Sequence, residues 1–126
     1  MKENKFASFT IKGRFPSLNE YINACRRNVY LANQMKQKYT RTAMLYARQT
    51  KAKLDMDCAV TVKIAYYEPN LKRDIDNISS FGNKVILDGI VKAGMLKNDS
   101  QRYICGIVNS VNIDKENPRI EVSIWY

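Results

Sequence analysis

The sequence predicts an α+β domain in which helices pack on a small mixed or antiparallel sheet. Three observations lead there. A chain of 126 residues suffices for one core, not two, so 1–126 reads as a single domain. Four stretches suit strands, with apolar residues tending to alternate with polar ones. Two further stretches repeat apolar residues at helical spacing, giving the order β-α-β-α-β-β.

Residues 6–15 hold the first strand, with Phe9 and Ile11 alternating with Thr10 and Lys12 until Gly13 ends the run. Pro16-Ser17-Leu18-Asn19 reads as a turn. Residues 20–33 show no stable period, and their mixture of Asn, Arg, Cys and Tyr predicts a long polar loop. Over residues 34–53, Met35, Tyr39, Ala43, Tyr46, Ala47 and Thr50 recur at helical spacing, while Lys38, Arg41, Arg48 and Lys51 occupy other faces. That is an amphipathic basic helix.

Residues 57–67 alternate cleanly, with Cys58, Val60, Val62, Ile64 and Tyr66 on one side of a strand. Glu68-Pro69-Asn70 breaks it. The polar residues 71–77 lead into a second helix over residues 78–93, whose Phe81, Val85, Ile86, Leu87, Ile90 and Val91 cover much of its circumference. Gly94 suits a left-handed C-terminal cap. Strands are expected over residues 103–113 and 120–126, joined by a turn at residues 114–118.

Charge is unevenly distributed. Met1 to Lys53 carries 12 Lys and Arg against two acids, and the remainder carries 9 against 10. An excess confined to one segment suits a polyanion, because basic side chains that neutralise phosphates release counterions; a solubility charge is the plain alternative. No membrane span or secretory leader is apparent, so the protein is expected in the cytoplasm. Three cysteines without a C-x-x-C pair suggest neither a disulfide framework nor a zinc site, and Cys58 and Cys105 are expected to pack in strands. The chain has no histidine, which excludes imidazole bases, Ser-His-Asp triads and H-E-x-x-H zinc sites together. Hydrolysis has to run on carboxylates, lysine, tyrosine and a metal.

Arg73-Asp74-Ile75-Asp76-Asn77 is the cluster most suited to that chemistry. In extended chain Asp74 and Asp76 point the same way, about 7 Å apart, and Ile75 faces the other side as an anchor. Two such carboxylates suit Mg²⁺, which takes one or two with waters and phosphate oxygens. The alternative is that Asp76 or Asn77 caps the following helix. Asp99 reaches the pair only if the loop after Gly94 folds back along a helix roughly 25 Å long, and otherwise is a turn residue. Lys84 either serves the site or pairs with Asp88 one turn on.

The run Arg73-Asp74-Ile75-Asp76-Asn77, with Lys84-x-x-x-Asp88, Ala93-Gly94, Asn98-Asp99-Ser100-Gln101 and the earlier Pro16-Ser17-Leu18-Asn19-x-Tyr21, resembles the RusA family of Holliday-junction resolvases. The resemblance implies a homodimeric, Mg²⁺-dependent endonuclease, with Mn²⁺ a possible substitute, that nicks two strands of like polarity at a four-way DNA junction in recombination and repair. Members are often prophage-encoded. Asp74 and Asp76 match the paired acids, Asp99 the third, and Lys84 the catalytic lysine. Lys84 stands about one helical turn further from the acids than in the founding resolvase, and Asn98 replaces an acid common in the family. Branched DNA is then the substrate, with no small-molecule substrate and no membrane. Its candidate contacts are Arg26, Arg27, Lys38, Arg41 and Arg48 in the basic segment, with Arg14, Asn19, Lys72 and Arg73 nearer the motif. Two other readings stand beside this one: a catalytically idle basic DNA-binding module, and a nuclease for forks or flaps.

Overall fold

The computed structural model describes residues 4–54 and 58–126. Its elements are β1 (Lys5–Lys12), α1 (Leu18–Arg27), α2 (Val29–Gln49), β2 (Val60–Glu68), α3 (Ile75–Lys92), β3 (Ile104–Ile113) and β4 (Arg119–Trp125). The architecture is the expected α+β domain with a mixed four-stranded sheet. The order is β-α-α-β-α-β-β, one helix more than the sequence suggests.

The strands lie in the order β1-β4-β2-β3. β4 pairs antiparallel with both β1 and β2, whereas β2 pairs parallel with β3. A parallel neighbour needs a crossover, and α3 provides it between β2 and β3. Residues 114–118 then carry the chain across the end of β2 without making a hairpin. The Asp114 amide donates to the Glu68 carbonyl at 2.8 Å and the Gly13 amide to the Pro118 carbonyl at 2.9 Å. Arg119 locks the connection by bonding Asp114 and Glu121 and lying 3.7 Å from the centre of the Tyr67 ring. These bonds raise the Arg119 pKa and hold the Asp114 carboxyl below its ordinary value.

Alternation does the packing. Phe9 and Ile11 of β1, Val60, Val62, Ile64 and Tyr66 of β2, and Ile120, Val122 and Ile124 of β4 turn one way, into a core closed by Phe81, Val85, Ile86 and Ile90 of α3. α2 meets α3 along the small residues Thr40 and Ala43, and a Cβ on Gly89 would stand 2.7 Å from the Ala43 Cβ and 2.8 Å from the Met44 amide nitrogen. At its end α3 closes in a Schellman motif. The Gly94 amide, at φ +81, donates to Val91, and the Met95 amide to Ile90.

The expected loop over residues 20–33 is helical instead: α1, one break at Asn28, then the start of α2. Asn28 serves both helices, its amide donating to the Ala24 carbonyl and its side chain accepting from the Tyr30 amide. Ser17 heads α1 by accepting from the Glu20 amide at 3.1 Å, so the expected turn at residues 16–19 is a helix start. The S-x-x-E pattern Ser17 to Glu20 was the signal for it. Although none of its residues is fully buried, α1 is amphipathic, with Leu18, Tyr21, Ile22 and Cys25 at helical spacing along one face. The second expected helix begins at Ile75 instead of residue 78, and the strand expected over residues 57–67 is β2, which starts at Val60 after Cys58 and takes in Glu68, with Asp57 outside the described residues. Cys105 is exposed, not packed. No helix among the described residues is long and apolar enough to cross a membrane.

Candidate functional site

The site is built where β1, β2 and the N-termini of α1 and α3 converge. Core-side parity along β2 runs Val60, Val62, Ile64, Tyr66, Glu68, so the strand's last inward position is an acid. A buried carboxylate requires partners. Glu68 finds Arg14, just past Gly13, at 2.7 Å through Oε1, and Arg73 at 3.8 Å. The hydrogen bond with Glu68 raises the Arg14 pKa above its ordinary value. Arg73 also donates to the Phe15 carbonyl at 3.1 Å and forms an ion pair with Glu20, which itself meets the Ser17 hydroxyl. One guanidinium therefore ties the loop before α3 to β2 and α1 at once. The Asn19 amide adds a bond to the Asn77 side chain at 2.9 Å.

That loop delivers the acids. Asp74 is the N-cap of α3 in extended conformation, yet its side chain makes no capping hydrogen bond. Asp76 lies in the first helical turn, its Oδ1 accepting from the Asn77 amide at 2.9 Å. The expected strand-like pair is thus a cap residue and a helical residue. Ile75 is 53% exposed and anchors nothing. Both carboxylates are open to solvent at the positive end of an 18-residue helix, where a phosphate is also favoured.

Asp76, Ser80, Lys84 and Asp88 follow at four-residue intervals along one face of α3, putting Lys84 roughly 12 Å along the axis from Asp76. Lys84 pairs with Asp88 at 3.1 Å, as the helical spacing allows. The loop after Gly94 does fold back, anchored by the fully buried Met95 and nearly buried Leu96, and places Asp99 Oδ2 at 3.9 Å from Lys84 Nζ. Asp99 therefore meets the middle of α3. Among the described residues no three His, Cys, Asp or Glu side chains gather as a group able to hold a metal ion. Asp74 and Asp76 are the donor set whose chemistry fits a hard cation.

The candidate DNA contacts divide. Arg26 and Arg27 end α1 and are exposed, as are Lys38, Arg41 and Arg48 on α2 and Lys72 before the acids. Arg14 and Arg73 are held in ion pairs, and Asn19 engages through its backbone. Glu20 and Glu68 were not singled out from the sequence. The signals available for them are the capping pattern and the inward parity of Glu68.

The family described as Endodeoxyribonuclease RusA matches residues 14–125 of this chain. No curated protein matches it.

Proposed function

Because the chain belongs to the endodeoxyribonuclease RusA family, we propose that it cleaves four-way DNA junctions by phosphodiester hydrolysis. As a homodimer acting in the cytoplasm, it makes paired nicks in strands of like polarity, in recombination and repair. The family match across residues 14–125 carries the reading. The exposed carboxylates of Asp74 and Asp76, beside a basic segment, support it.

Asp74 and Asp76 would hold Mg²⁺, which takes one or two carboxylates and completes its shell with water and phosphate oxygens; Mn²⁺ shares that preference. Bound there, the ion supplies Lewis acidity toward water and phosphate. The chain's own residues do the rest. The Glu68 and Glu20 pairs with Arg73 fix the direction in which Asp74 leaves the loop. Lys84 stabilises charge on the phosphate by exchanging its carboxylate partners for a phosphate oxygen. Asp99 is the third acid of the proposed site. The basic surface of α1 and α2 grips phosphates without reading bases.

The test sets a four-way junction beside matched duplex, fork and single strand, in Mg²⁺ and in chelator. Symmetric paired cuts in the junction alone, with metal alone, are the expected result. Equal cutting of forks or flaps reassigns the substrate, and tight binding without cutting at any metal concentration leaves a DNA-binding module.

A further inference from the structure

α1 and α2 meet at the break at Asn28 and line an open cleft of about 550 Å³. Its size falls within the roughly 300–1,000 Å³ of small-ligand sites. The lining has two characters. Leu31, Met35 and Tyr39 of α2 supply apolar surface, while Arg27 and Lys38 bring positive charge. Among the described residues neither cation has a carboxylate partner, and Lys38 Nζ lies 5.3 Å from the centre of the Tyr39 ring. Tyr39 is braced edge-on by Phe15 at 5.1 Å and by Phe81 at 6.1 Å, so its ring is a fixed wall. The amides of Asn23 and Gln34 also line the cleft and offer both donors and acceptors.

Two further observations identify the occupant. Residues 21–54 contain eight Lys and Arg and no acid, so a polyanion is favoured along both helices. The cleft's one acid is Glu20, and it is engaged by Arg73, the residue next to Asp74. The cleft and the acids thus share the wall formed by the start of α1. A ligand with a flat apolar ring, polar edges and a phosphate matches that lining.

We propose that the α1–α2 cleft receives one unstacked nucleotide from the DNA strand that the acids cut, its base against Leu31, Met35 and Tyr39 and its phosphate at Arg27 and Lys38. The inference rests on the junction-nuclease reading. It adds a base-binding step to a surface otherwise restricted to backbone contacts. Extruding a base costs least where pairing is already interrupted, as at a branch point. Stacking against an aromatic wall compensates by about five- to a hundredfold in affinity per base.

The test is a thermodynamic cycle between protein and DNA. Junctions carrying a single abasic site, moved one position at a time across the branch point, are titrated in chelator with wild type, Leu31→Ser and Met35→Trp. Leu31 is 47% exposed, so its replacement leaves the fold intact, whereas Met35→Trp fills the cleft. At one position the abasic site should weaken wild-type binding by about five- to a hundredfold, and the same site should cost either variant almost nothing further. Additive losses at every position overturn the cleft assignment. Cleavage of the intact junction by wild type in Mg²⁺ runs alongside. Cleavage together with additive losses removes the cleft alone, and absence of both binding and cleavage removes the junction reading and the cleft together.

Discussion

Asp74, Asp76 and Asp99 do different structural work, and the differences shape what their replacement should do. Asp74 ends an extended loop, Asp76 sits one residue inside α3, and Asp99 comes back on a loop to Lys84. None is buried, so Asp→Asn at each position should leave the fold unchanged. If all three serve the cut, each variant loses at least about a hundredfold in cleavage while junction binding in chelator is kept or tightened, because a negative charge facing phosphate has gone. Near-wild-type cleavage by any one variant takes that residue out of the site. Tyr66 is a separate case, nearly fully buried and donating to Asn83 Oδ1 at 2.8 Å, with burial pushing its phenol well above the ordinary value of 10.0. A raised folded value means its contribution is complete below the unfolded value and is lost as pH rises past it. Tyr66→Phe should cost about 1 kcal/mol at neutral pH, by removing one of the two hydrogen bonds to Asn83 Oδ1, which still accepts from Asn109 Nδ2 at 3.0 Å, and should flatten the fall in stability above about pH 10. Urea unfolding across that range reads both effects, and an unchanged alkaline slope contradicts the assignment.

At the scale of elements, the contact of α2 with α3 and the free edge of β3 make opposite demands. Gly89 lets two helix backbones approach closely, and its nearest neighbours include the Met44 nitrogen and the Thr40 carbonyl oxygen, which cannot rotate away. Gly89→Ala gains helix propensity but must push the helices apart, so a net loss of about 1–3 kcal/mol is expected in urea unfolding. β3 ends the sheet with ten residues and no charge among them, and Ile107, Val108 and Ile113 are 43%, 51% and 47% exposed. The opposite edge, β1, begins and ends in lysine. Unprotected edges invite pairing with another strand, and the proposed dimer supplies one in a second β3. The apolar Met95 and Leu96 offer no interface, since both are consumed by the chain's own core. Sedimentation should give a dimer for wild type and for Thr10→Lys on β1, and a monomer for Val108→Lys. A dimer that survives Val108→Lys places the interface elsewhere.

For the molecule as a whole, the formal net charge of +9 belongs almost entirely to the N-terminal half. The acid-free stretch folds into α1 and α2, so the positive field lies on the helices next to the Asp74 loop. Binding to a junction should therefore fall steeply with salt, by about 10³–10⁵ between roughly 50 and 200 mM if about six to ten phosphates are contacted. Arg26→Ala and Arg41→Ala should each lower the slope of log affinity against log salt by about one unit, whereas Arg14→Ala should act through stability, since Arg14 is already paired with Glu68. A nearly flat titration for wild type contradicts an electrostatic grip.

Local pattern by itself determined β1, β2, β4 and most of α2 and α3, because each turns one apolar face to the core and that face is written at a fixed period. Gly94 was legible for a similar reason, since the left-handed turn after a helix selects glycine regardless of distant contacts. The motif residues Asp74, Asp76 and Asp99 could be picked out by residue type and resemblance. Their arrangement could not. α1 carries two local marks, the Ser17 to Glu20 cap and the helical spacing of Leu18, Tyr21, Ile22 and Cys25, set in an otherwise polar segment that reads as a loop. Only the tertiary structure decided that Glu68 and Arg73, five residues apart, close on Arg14 and Glu20 to hold the acid loop. It also decided that Asp99 meets Lys84, and that β2 separates β3 from β4. Such contacts depend on which faces meet once the core has closed, and the period of apolar residues along the chain carries no record of that.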